Sequence, residues 1–92
     1  MGEYSWEMME AQGRDLPTLL DPDGDDIGEV ETDHDAEVLI PYLNAGKGGF
    51  TLVEIKERHR HVWGFEINDC SIAYATTEES GKGILSHLNR NQ

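Results

Sequence analysis

The stretch VWGFEINDCSIAYA, residues 62–75, decides the fold. Asn and Asp tolerate positive φ better than most residues, so Asn68-Asp69 reads as the two-residue turn of a β-hairpin. With the turn placed there, Ile67 pairs with Cys70, Phe65 with Ile72 and Trp63 with Tyr74, and these six side chains share one face. Val62, Gly64, Glu66, Ser71, Ala73 and Ala75 fall on the other. A slip of one residue would scatter the apolar set, so the expected register and the expected buried face come together. Cross-strand pairs of this kind are worth about 0.2–1 kcal/mol each, and an isolated hairpin is marginal in water. Something must cover or extend it.

The neighbours supply candidates. Thr51-Leu52-Val53-Glu54 has the form of a capping box, with Phe50 and Ile55 placed as a hydrophobic staple, which reads as a helix over 51–60. Thr51, Val53 and Ile55 are also β-branched and alternate, which reads as a strand. A third strand at 50–57 is the preferred reading, because the hairpin needs a partner. Downstream, Ile84, Leu85 and Leu88 form one helical stripe, giving a short helix at 81–89 and a frayed tail.

Upstream, Ser5 to Gln12 reads as a short helix at 5–13, N-capped by Ser5 and stopped by Gly13. Residues 15–20 contain Pro17 and read as loop or short edge strand, and Asp21-Pro22-Asp23-Gly24 is turn chemistry. Residues 36–43 suit a helix or a buried strand; Asp35 offers a cap, but Pro41 would break a backbone bond beyond the first turn. The predicted fold class is α+β: a small antiparallel sheet with short helices.

At 92 residues the chain is expected to form one small acidic domain, 1–92. The lone cysteine, Cys70, permits no internal disulfide framework. The start lacks the apolar core of a signal peptide, and no run approaches the ~18 apolar residues of a membrane span. Met1 to Trp6 approaches the N-myristoylation pattern, with Ser5 one place early. A cytoplasmic protein without membrane contact is expected.

Net charge is −12, and it is not evenly spread. Residues 1–46 hold thirteen acids and one base, Arg14, whereas residues 47–92 hold six of each. The acids concentrate in an expected loop at 21–37: Asp21, Asp23, Asp25, Asp26, Glu29, Glu31, Asp33, Asp35 and Glu37. Such a field steers basic surfaces toward itself and repels nucleic acid and anionic membranes. The one dense cationic stretch, residues 56–61, offers Lys56, Arg58 and Arg60 as contacts to RNA or to an acidic partner. Three fixed cations are too few to hold a duplex.

Catalytic and metal chemistry finds little purchase. Asp21, Asp23 and Asp25 match the first, third and fifth positions of a calcium loop, but Asp26 stands where the loop requires Gly. His59, His61, Cys70, His34 and His87 have no zinc-site spacing. No nucleophile–base order or carboxylate pair stands out, so neither an enzyme nor a cofactor is expected. Glu78-Glu79-Ser80-Gly81-Lys82-Gly83-Ile84 resembles the pyrophosphate arm of GNAT acetyltransferases, where backbone N–H groups at a helix start hold phosphate; Glu78 replaces the family's Gln or Arg and would repel it. Gly49 to Ile55 resembles a run in MerR-family regulators, which implies a helix there, without the family's DNA-reading start.

In size and charge pattern the chain resembles phage-encoded anti-restriction and anti-CRISPR inhibitors. That resemblance implies a protein in the host cytoplasm that binds a nucleic-acid-binding protein complex and blocks nucleic-acid access. The nine carboxylates would take the Lys/Arg sites that hold phosphates, with Lys56, Arg58 and Arg60 as a second contact to the complex's RNA. The alternatives are a small acidic accessory or assembly protein and a calcium-binding module through 21–31.

Overall fold

In the computed structural model, Asn68 and Asp69 both have positive φ, +52° and +64°, and form the expected hairpin turn between β5 (Arg60–Ile67) and β6 (Cys70–Ala75). The structure describes residues 3–11 and 13–92. Met1 and Gly2, on which the acylation pattern falls, and Gln12, inside the expected helix 5–13, lie outside the described residues. Ile67 pairs with Cys70 as expected, and Glu66 with Ser71, but then the register shifts. Ile72 is the extra residue of a β-bulge, so Phe65 faces Ala73 and Trp63 faces Ala75 rather than Ile72 and Tyr74. The expected buried face is corrected accordingly: Phe65, Ala73 and Ala75 are fully buried, whereas Cys70 is exposed. The two alanines sit where the first helix lies on β6, and larger side chains would hold it off.

β4 (Thr51–Glu57) completes this sheet in the order β4-β5-β6, so the strand reading of 51–57 is the right one and the MerR-like helix is not formed. The expected helix at 5–13 is also overturned. Ser5–Ala11 is a strand, β1, paired antiparallel with β2 (Arg14–Leu20), with Gly13 in the turn before β2. A helix this short is marginal by itself, while the strand pairs along its whole length. β2 is the middle strand of β1-β2-β3, with β3 at Asp26–Glu29. Pro17 is tolerated in a middle strand because its partner Met8 needs no bond from it, while its carbonyl accepts the Val30 N–H at 2.9 Å.

The supposed acidic loop at 21–37 is therefore only partly loop. Residues 21–25 turn between β2 and β3, and α1 runs from Asp33 to Ala45. Thr32 rather than Asp35 caps it; Asp35 closes a capping box by accepting the Thr32 N–H at 2.8 Å. Pro41 lies inside the helix on its exposed side, where water can satisfy the carbonyl it leaves free. α2 spans Glu78–Leu88, beginning earlier than the expected 81–89, with Thr77 as N-cap. The tail is held: Gln92 accepts the Gly49 N–H at 2.7 Å, and Asn91 donates to the Gly46 carbonyl at 3.1 Å.

The element order is βββα twice. Ser5↔Leu20 in the first hairpin answers to Thr51↔Glu66 in the second, and the bulge at Ile27 answers to the bulge at Ile72. The N-caps Thr32 and Thr77 correspond, as do buried Leu39 with Ile84 and Leu43 with Leu88. Asn44 accepts the Tyr4 N–H at 2.8 Å, and its counterpart Asn89 accepts the Phe50 N–H at 3.2 Å. The His87 ring meets Tyr4 edge-on at 5.5 Å, as Tyr42 meets Phe50 at 5.3 Å. The units exchange contacts: α1 packs on β6 as well as on β1 and β2, α2 packs on β3 as well as on its own sheet, and Val30 bridges to Ala75 between the two sheets. The core draws on both, from Tyr4, Leu19 and Val30 to Phe65, Ala75 and Leu88.

Candidate functional site: the acidic unit

The nine expected carboxylates do not form one free face. Three are engaged inside the fold. Asp35 is buried in the capping box of α1. Glu29 accepts a short hydrogen bond from the Ser80 hydroxyl, which in turn accepts the Glu29 N–H at 3.1 Å. Glu31 holds Arg60 through two bonds, at 2.7 and 3.1 Å. Those hydrogen bonds keep the Glu31 carboxyl below its ordinary range. Arg60 also lies over the Tyr74 ring at 4.5 Å, so it braces the junction between units and is not a free cation.

The remaining carboxylates are exposed or nearly so. Asp23, Asp25 and Asp26 project from the β2–β3 connection, Asp33 opens α1, and Glu37 lies one turn along it. Asp21 is partly buried and organises the loop: its carboxylate accepts the N–H groups of Asp23 and Asp25, both at 2.9 Å. Partial burial and the charge of Glu29 raise the Asp26 pKa, while a Gly28 backbone bond opposes them. Asp21, Asp23 and Asp25 can bring one oxygen each within 4.8 Å of one another, the only such acid, His or Cys group among the described residues. Strands flank this loop, the twelfth position that a calcium loop gives to a bidentate carboxylate is Thr32, and Glu31 one place before it is taken by Arg60.

The cationic stretch is the β4–β5 hairpin end. Lys56 and Arg58 are exposed there, and His61 is committed to Glu54 at 2.6 Å and to the Trp63 ring at 4.4 Å. The sequence reading missed a groove of about 470 Å³ between β1 and α1, lined by Tyr4, Ser5, Trp6, Glu37, Ile40 and Pro41. Reading 5–13 as a helix hid it, since a strand there is what sets Trp6 facing Ile40. No helix among the described residues is long and apolar enough to cross a membrane. No protein family, curated protein or solved structure matches the chain.

Proposed function

We propose that the protein is a binding inhibitor whose acidic first unit occupies the phosphate-holding surface of a host nucleic-acid-binding complex, in the manner of anti-restriction and anti-CRISPR proteins acting in the host cytoplasm. The supporting observation is an internal comparison. The second unit builds the same βββα arrangement with no net charge, so the fold does not require the acidity of the first. At corresponding positions Glu10, Asp15 and Glu37 answer to Lys56, His61 and Lys82. The loop 21–25, rich in acid, answers to a two-residue turn. Charge that the scaffold does not need is charge available for a partner, and its effect on encounter is long-ranged.

Three carboxylates suit the test because none of them holds the fold together: Asp23, Asp25 and Asp26. Immobilised protein should capture a nuclease or nucleoprotein from bacterial lysate, and DNA or RNA oligonucleotides should elute it. Asp23→Asn, Asp25→Asn and Asp26→Asn together should slow association on the order of tenfold and flatten its salt dependence. Unchanged binding in that variant, with loss on neutralising Lys56 and Arg58, would move the contact to the basic hairpin end and reject mimicry.

The convergence of Asp21, Asp23 and Asp25 favours a second reading, a calcium-binding module. On the inhibitor reading, millimolar calcium raises the melting temperature no more than magnesium does. A calcium-specific rise that Asp23→Ala abolishes would favour the module.

A further inference from the structure

The geometry points to β1 as a docking edge for an extended, basic segment of a partner protein, which adds to the sheet as a further strand and seats an apolar side chain in the Trp6–Ile40–Pro41 groove. This inference does not depend on nucleic-acid mimicry; it rests on a different surface from the loop 21–25.

The edge is open. Among the described residues β1 pairs only with β2, and residues along a strand alternate in the direction of their backbone groups. Pro17 turns its carbonyl to Val30, away from β1, so its partner Met8 turns its N–H and C=O away from β2. By alternation Trp6 and Glu10 do the same. The next residue of that set, Tyr4, has its N–H taken by Asn44, which marks where α1 closes the edge and where the open part begins.

The same strand carries what a docked segment would recognise. Trp6 and Met8 share a face, and Met8 is 55% exposed. Trp6 lines the groove against Ile40 and Pro41, with Glu37 at its rim. Sheet edges are ordinarily guarded by Lys or Pro; β1 (Ser-Trp-Glu-Met-Met-Glu-Ala) has neither. Its counterpart β4 carries Lys56 and places Glu54 where β1 has Met8. Glu7 and Glu10 on the strand and Glu37 at the groove make the middle of the edge acidic, while the bases stand at its two ends, Arg14 opposite Ala11 and Arg90 over the Tyr4 ring at 4.9 Å. That selects a segment alternating Lys or Arg with apolar residues. A second copy is disfavoured as the occupant, because antiparallel self-pairing would bring two chains of charge −12 together through their acidic strands.

The probe is a fluorescent peptide, Lys-Val-Arg-Leu-Lys-Val-Arg, titrated with the full-length protein and followed by anisotropy. A control of equal charge carries prolines in place of the valines and cannot add as a strand. The strand peptide should bind at least tenfold more tightly than the control. Met8→Pro, which deletes an outward N–H, should remove that preference. Met8→Glu and Glu37→Lys copy residues that the second unit already accommodates, and each should weaken binding at least threefold with the melting curve retained. The Asp23, Asp25, Asp26 variant should stay within threefold of wild type, which separates this edge from the loop. Equal binding of both peptides, or full binding by Met8→Glu, would reduce the effect to net charge and overturn the proposal; full binding by Glu37→Lys would overturn it as well, by taking the groove rim out of the contact. So would a dimer of the free protein that Met8→Glu dissociates, since a second copy would then own the edge.

Discussion

Phe65→Ala is expected to lower folding stability by about 3–5 kcal/mol, the usual cost of truncating a core aromatic. Phe65 is fully buried in the middle strand of the second sheet, between Leu52 on β4 and Ala73 on β6. Its neighbours cannot close on the space: Ala73 has no further reach, and β5 is pinned on both sides. Small domains hold only about 5–15 kcal/mol in total, so this one side chain decides whether most of the population folds. Urea denaturation reads the effect as a fall in midpoint at constant slope. A loss below about 1 kcal/mol would mean that Phe65 is not in the core. Leu19, the counterpart of Phe65 in β2 and equally buried, provides the matching substitution in the first unit.

Gly28→Ala is the second large effect, and here adding a methyl destabilises. A Cβ on Gly28 would lie 2.8 Å from the Ser80 carbonyl oxygen and 2.9 Å from the Ile84 side chain. The oxygen is backbone of α2 and cannot swing aside, and the glycine φ of +151° adds strain for any other residue. Overpacking of this kind costs about 1–3 kcal/mol before the backbone term. Gly83 forms the other side of the seam, its Cβ position 2.7 Å from the Ile27 carbonyl. A glycine-to-alanine change inside a helix ordinarily stabilises; at Gly83 the contact with β3 should reverse the sign. Thermal melts of both variants check the seam, and a gain in stability from either would show that α2 does not lie this close to β3.

The hairpin turn and the C-terminal helix were legible because each rests on a local signal, Asn-Asp and a leucine-type stripe; at 51–57 the local signals divide between a capping box and β-branched alternation, and the hairpin's need for a partner is what favours the strand. The bulge was not legible, since Ile72 fits the alternation well and only the approach of α1 demands alanines at 73 and 75. β1 reads equally as a helix because Trp6 and Met9, three apart, suit a helical face while Trp6 and Met8, two apart, suit a strand face, and what decides between them, the pairing with β2, is invisible to either pattern. The repeat is concealed by substitution at nearly every buried position, Tyr4 for Phe50, Leu16 for Val62 and Leu19 for Phe65. What persists is a scatter of structural residues, including Thr32 with Thr77 and Asn44 with Asn89. The acidic character was evident from composition, but not which acids serve the fold. Thr32-x-x-Asp35 did spell a capping box, and reading it would have withdrawn Asp35 from the candidate surface.

The exchange of helices between the two units bears on how the chain reaches this structure. α1 divides its packing between its own β1 and β2 and the distant β6, and α2 returns to pack on β3, so a nascent first unit closes its sheet only in part. The early hairpins can form locally and α1 can settle on β1 and β2, but the packing of β3 under α2 waits for the far half of the chain. Unfolding should therefore be a single transition with no stable half, and synthesis must run to α2 before the acidic strands acquire a lasting shape. An incomplete chain would expose β3 and β6 as bare edges, the state in which such a protein meets chaperones and proteases.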